Sequence, residues 1–318
     1  MTTVDWLLGA QEPWVRWGTR VHLLGAPADD PDVAREHRHT LGHPAVRALL
    51  DEVLAWPDPP MKNHKQAAHP LHKIGLLVDM GLTAADPEGA ELADRILAHH
   101  DPDGPFQCVE LVPRAFGGSG VPEPGWMGCD APLLVHALLA LGLGDDPRVG
   151  RALEHLIGLV RPGGWPCAMW IPGARGPGRK DDPCPYADLV SLRALSLSAH
   201  RDSEACHQGT EMLLSHWEQR AARKIRMFGI GTDFAKPKYP LVWYDVVHFL
   251  EVLSRFEWTH ADPRFGEVLD LLLSQADDHG RFTPRSVWMT FKGLDFAQKR
   301  QPSPTLTLAV ERIRRRAS

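Results

Sequence analysis

The chain has 318 residues, of which 43% are apolar and 24% charged, and it carries a net charge of −5. That length can bury a full core, and the composition is that of an ordinary globular protein. The acidic balance gives no support for nucleic-acid binding, and the short basic tail Arg312, Arg314, Arg315, Arg316 suits a helix C-terminus.

The longest apolar run, about Pro132 to Gly144, contains His136 and is too short to span a bilayer. Met1–Ala10 has no basic start and is interrupted by Asp5. The expectation is a cytoplasmic protein with no transmembrane segment and no nucleic-acid partner. Five cysteines at wide spacings argue against a disulfide framework there. Eleven Trp beside three Tyr and ten Phe suggest large apolar surfaces lining something.

In chain order, Thr2 or Thr3 caps a short helix through Trp6 and Leu7, and residues 24–43 read as Pro/Asp/His-rich loop. Pro44 opens a helix ending before Trp56-Pro57. Another begins near Pro70 and stops at Gly81, and Asp86-Pro87 starts its partner. Residues 101–129 form an inserted loop with no strand pattern. Leu133, Leu134, Ala137, Leu138 and Leu141 then repeat at helical spacing, as do Val149, Leu153, Leu156, Ile157 and Val160 across the turn at Asp146-Pro147. Tyr186–Leu197, its partner from Ser203, the pair around 242–255 and 263–272, and a last helix from Pro304 complete the chain.

The turn aspartates Asp86, Asp146, Asp202 and Asp262 recur every 56 to 60 residues, and each reads as a helix cap. Gly104 and Gly164 repeat at the same interval, followed by Phe106 and Trp165. A fixed period of helix pairs means stacked pairs sharing one core. The fold class is therefore all-α, an (α/α) toroid of five to six antiparallel pairs. It is read as one domain over 1–318, with 1–43 irregular.

A helix pair closed by a Gly-aromatic turn resembles the α/α toroids of the terpenoid cyclase and protein prenyltransferase superfamily. Asp103-Gly104-Pro105-Phe106 looks like a weakened squalene cyclase turn. The resemblance implies a hydrophobic, isoprenoid-like substrate in a central cavity, with cyclisation, isomerisation or prenyl transfer as the reaction. Lys180-Asp181-Asp182 resembles the Asp-x-Asp-Asp acid of squalene–hopene-type cyclases, with Arg179 where the first Asp would stand. An N-terminal helix cap accounts for these aspartates too.

The residues at inner-helix starts carry the candidate chemistry. Asp181 or Asp182 would act as the acid, with Tyr186, Tyr244, Asp245 and His248 as orienting or base groups. Arg175, Arg179, Lys180, Lys236, Lys238 and Tyr239 would bind substrate through a polar mouth, with Trp126, Trp165 and Trp243 as aromatic walls. Cys129, Cys167 and Cys184 would converge on zinc, with Asp130, His69 or His72 as fourth ligand. Small buried cysteines filling the turns are the plainer reading. A different class altogether is a non-catalytic toroid scaffold or ligand-binding protein holding structural zinc. Neither a Walker loop nor a dinucleotide fingerprint, Gly-x-Ser-x-Gly elbow or His-Glu-x-x-His motif is present.

Overall fold

A computed structural model describes residues 2–171, 173–174, 182–222 and 227–318. Among them are thirteen α-helices. In order these are α1 (Thr3–Leu8), α2 (Pro13–Gly18), α3 (Pro31–Leu41), α4 (Pro44–Val53), α5 (Pro70–Asp79), α6 (Pro87–Leu97) and α7 (Ala131–Ala140). Then come α8 (Pro147–Leu159), α9 (Pro185–Leu195), α10 (Glu204–Glu218), α11 (Val246–Leu253), α12 (Pro263–Leu273) and α13 (Pro304–Arg316). None of the described helices is long and apolar enough to cross a membrane.

The chain divides into two compact units. Unit 1 holds residues 1–51, 76–82 and 231–318, and unit 2 holds 52–75 and 83–230. In unit 2, α7 packs on α8 and α9, and α9 packs on α10. In unit 1, α11 packs on α12 and α13, and α2 packs on α3.

Burial separates the two kinds of helix that the repeat anticipates. Every residue of α9 and α11 is buried, whereas α8 and α12 bury a single stripe, Val149, Ala152, Leu153 and Leu156 in one and Phe265, Val268 and Leu272 in the other. A helix buried on all sides is enclosed, and one with a single stripe has a solvent face.

At Gly164 the Gly-aromatic turn closes its helix pair for a physical reason. Gly164 sits at φ +111°, and a Cβ there would lie 2.4 Å from Asp188 Oδ1. Asp188 accepts the Trp165 amide at 3.0 Å, and the indole donates back to the Leu156 carbonyl of α8 at 2.7 Å. Only glycine brings the turn that close to α9.

Three local readings are corrected. Residues 1–43 are not irregular: α3 forms within the expected loop because Asp30 caps the amides of Asp32 and Val33 and Pro31 takes the first helical position. Two of the four turn aspartates cap as expected, Asp146 on the Arg148 amide and Asp262 on the Arg264 amide, both at 2.8 Å. Asp86 instead accepts from Thr83, and the α10 cap position is Ser203 rather than Asp202. The inserted loop contains strands β1 (Cys108–Glu110) and β2 (Glu123–Met127), which join β3 (Met169–Trp170) in an antiparallel sheet ordered β1-β2-β3.

Candidate active site

The short sheet positions the site, and all its residues belong to unit 2. In β1 side chains alternate, so Cys108 and Glu110 face the buried side together. The loop before α5 lies along β1: Met61 donates to the Val109 carbonyl at 2.7 Å and accepts from the Leu111 amide at 2.8 Å. Two histidines at the start of α5 hold this loop, His69 Nε2 donating to the Pro59 carbonyl and His72 Nε2 to the His64 carbonyl, each at 2.8 Å. From the other side β2 leads through Met127 into Asp130, the residue before α7.

Between these segments opens a cleft of about 320 Å³. Its polar lining is Lys62, Asn63, His64, Glu110 and Asp130, set among Met61, Leu111, Val112, Phe116, Met127 and Met169. Glu110 and Asp130 are both fully buried. Both oxygens of Glu110 and Oδ1 of Asp130 have no hydrogen-bond partner among the described residues.

Taking a carboxylate out of water favours its neutral form, and a second carboxyl nearby adds to the effect. Burial and the neighbouring Asp130 push Glu110 up to about 9. Burial pushes Asp130 up to about 7, opposed by a hydrogen bond from the Cys129 thiol, whose Sγ lies 3.5 Å from Oδ2. His64 stacks on Tyr186 at 5.6 Å, and burial, with Lys65 nearby, lowers its imidazole to about 4, so it is neutral at pH 7. At pH 7 the cleft thus presents a protonated Glu110, an Asp130 close to its titration midpoint, a neutral imidazole and a lysine.

Of the expected catalytic residues, Tyr186 borders this cluster through His64. It is buried, which raises its phenol well above the usual range. Asp182 is half-buried ahead of α9 but does not line the cleft, and the α9 cap position is Cys184. Asp181, Arg175, Arg179 and Lys180 lie outside the described residues.

The remaining three catalytic candidates lie in unit 1, away from this cleft's lining. Asp245 caps α11 on the amides of Val247 and His248 at 3.1 Å, and burial pushes its carboxyl up to about 7. His248 Nδ1 donates to the Trp243 carbonyl at 2.9 Å, and Tyr244 packs between Phe234 and Phe249. The hydrogen bond joining Asp245 to His248 is therefore a backbone cap and not the expected side-chain orientation.

The expected binding residues pack as well. Lys236 and Lys238 both pair with Asp233, Lys238 also lying 4.7 Å from the centre of the Trp288 ring, and Tyr239 donates to Asp79 at 3.4 Å. Trp126 is buried against His155, and Trp165 fills its turn. No tryptophan lines the cleft among the described residues.

The cysteines do converge, though not as ligands. Cys167 and Cys184 share a thiol hydrogen bond that lowers Cys167 and raises Cys184, and Cys129 lies between His64 and Asp130. Among the described residues no group of three or more His, Cys, Asp or Glu side chains is arranged to hold a metal ion. His69 and His72 are turned to backbone carbonyls instead. The zinc expected at this cluster, and the zinc-bearing scaffold alternative, have no assembled ligand set here.

Glu110 is a residue of the cleft that the sequence alone does not single out. Its one mark in the sequence is a lone carboxylate inside the apolar run Cys108-Val109-Glu110-Leu111-Val112.

No protein-family model matches the sequence. A search of curated proteins likewise finds no match. Among solved structures the chain is similar to unsaturated glucuronyl hydrolase from Bacillus sp. GL1, responsible for the degradation of glycosaminoglycan. The identity is 13%, the TM-score 0.51, and the match covers 95% of this chain and 84% of that one. A UGL variant with dGlcA-Glc-Rha-Glc matches at 15% identity and TM-score 0.49, over 95% and 84%. A protein from Actinoplanes matches at 15% and 0.43, over 99% and 97%.

The fold is an all-α toroid, as the repeat implies. The terpenoid-cyclase chemistry and the hydrophobic isoprenoid substrate are corrected. A solved enzyme that shares this fold is a hydrolase of unsaturated glucuronides, and the cleft here sets Lys62, His64, Glu110 and Asp130 among its apolar side chains. Helix pairs and Gly-aromatic turns arise from stacking, so chemically unrelated toroids share them.

Proposed function

We propose that the chain is a glycoside hydrolase acting on an acidic saccharide, with the cleft between β1, β2 and the loop before α5 as its active site. The observation that carries this reading is the pair of buried carboxyls, Glu110 and Asp130, lining one cleft, the first protonated at neutral pH and the second titrating near it. Hydrolysis of a glycosyl bond, or hydration of an unsaturated sugar ring that leads to the same cleavage, begins with a proton delivered to the substrate.

Asp130, at about 7, is poised to give that proton and to take one back from the attacking water. Glu110, at about 9, stays neutral through the cycle and donates a hydrogen bond, which stabilises charge building on the substrate. Lys62 supplies the cation that a uronic carboxylate would meet, and Phe116 and the methionines offer apolar surface to the sugar ring. The likeness to unsaturated glucuronyl hydrolase supports this choice of substrate. Incubating the chain with unsaturated glucuronyl disaccharides tests the reading: release of the free sugar is expected, and Asp130→Asn should abolish it.

A further inference from the structure

Cys129 stands next to Asp130 with its Sγ 3.9 Å from His64 Nδ1 and 3.5 Å from Asp130 Oδ2. A thiol can donate one hydrogen bond and accept another, so one sulfur can join an imidazole to a carboxyl. The site fixes both neighbours. His64 is held by the His72 hydrogen bond to its carbonyl and by stacking on Tyr186, while Asp130 is held at the entry to α7.

We propose that Cys129 is the positioning residue of Asp130, its thiol bridging His64 and the carboxyl so that it steadies the ionised carboxylate and links the charge state of Asp130 to the cleft loop. This rests on the reading of Asp130 as the acid of a hydrolase.

The other groups that act on Asp130 all leave room for such a donor. Glu110 and Cys108 come from β1, Cys167 from the turn before β3, and Tyr186 from α9. Each interacts with Asp130 as a potential negative charge. The cation of His64 is disfavoured by burial. Cys129 is therefore the donor that offsets burial at Asp130. Its own thiol is raised well above the usual range by burial, with Asp130 adding to the effect, so it remains an S–H donor across the working pH range. Without it Asp130 would hold its proton to higher pH, and the group would be a weaker acid in the first step but, once ionised, a stronger base in the second.

The test follows the ¹³C chemical shift of the Asp130 carboxyl against pH in the full chain without substrate, assigned by difference from Asp130→Asn. Cys129→Ala should raise the midpoint by roughly one pH unit, the size expected for one lost hydrogen bond to a charged group. Cys129→Ser should restore most of it. In an activity profile the alkaline limb should move up by the same amount in Cys129→Ala, since an acid catalyst fails as it ionises. An Asp130 midpoint that stays in place, or falls, in Cys129→Ala overturns the proposal, as does a fall in activity equal at every pH. Because the NMR titration needs no turnover, it can fail while the hydrolase reading stands, and the reverse also holds.

Discussion

His72 and His64 are joined by a hydrogen bond of 2.8 Å, from Nε2 of one to the backbone carbonyl of the other. It ties the wall of the cleft to α5 from a buried imidazole, which burial keeps neutral by lowering it to about 3. His72→Phe retains ring volume and removes the donor. A buried carbonyl left without its partner costs about 1–3 kcal/mol, so urea unfolding should show a loss of that order. The same variant should raise KM more than it lowers kcat, because it loosens the loop that carries Lys62 and His64.

The pH dependence of stability follows from groups whose folded and unfolded titrations differ. Glu110, Asp130 and Asp245 are raised by burial, to about 9, 7 and 7. Their contribution is full below the unfolded carboxyl range and is lost as pH rises through those values. His22, His64 and His72 are lowered by burial, to about 3, 4 and 3, so their contribution is full above the unfolded histidine range and is lost as pH falls. Between pH 7 and 9 the histidines no longer change, and Glu110 dominates the slope. The urea midpoint of the wild type should fall from pH 7 to pH 9, and that of Glu110→Gln should stay nearly level.

In unit 1 a single buried carboxylate holds three guanidinium groups. Glu251 pairs with Arg255 at 2.8 Å, Arg316 at 3.0 Å and Arg312 at 3.4 Å, fastening α13 to α11. Burial opposes its charge but is outweighed by Arg316, Arg312 and Arg255, which hold it well below the usual carboxylate range. Removing one member of a buried pair leaves uncompensated charge, at a cost of about 3–5 kcal/mol. Glu251→Gln should therefore unfold at markedly lower denaturant, whereas Glu91→Gln, whose partner Arg95 is exposed, should change stability by less than ~1 kcal/mol.

Gly164→Ala tests the turn. The residue lies at positive φ, and its Cβ would meet the Asp188 carboxyl that caps Trp165. A left-handed non-glycine residue costs on the order of 1–3 kcal/mol before any displacement of Asp188. Thermal unfolding should fall accordingly, and Gly163→Ala, with open space around its Cβ but also positive φ, should fall less.

The architecture was legible because it is written in periodic signals. Apolar spacing marks α7, α8, α9 and α12, and Asp-Pro marks the starts of α8 and α12, where the carboxylate caps the amide two residues on. The α3 helix was hidden because its stripe holds Glu36 and Thr40 in place of apolar residues, with Glu36 drawn in by Arg16. The site was half legible. Asp130, Cys129 and Tyr186 are placed at one end because they open successive inner helices, α7 and α9. Glu110 was not, because its three-residue strand is too short for an alternation signal and its partners are distant in sequence. What the carboxyls do depends on burial, which no local pattern in the sequence reports.

The most direct measurement is turnover of an unsaturated glucuronyl disaccharide, followed by loss of the ultraviolet absorbance of its conjugated ring, for the wild type, Asp130→Asn and Glu110→Gln. The account expects wild-type activity that falls as pH rises through about 7, where Asp130 ionises. Removing a general acid lowers rate by ~10²–10⁴. Asp130→Asn should lose activity to that extent or more, and Glu110→Gln should lose less, since its amide still donates a hydrogen bond. Undetectable turnover of unsaturated and saturated glucuronides alike by well-folded wild type, or an Asp130→Asn variant as active as the wild type, would contradict it.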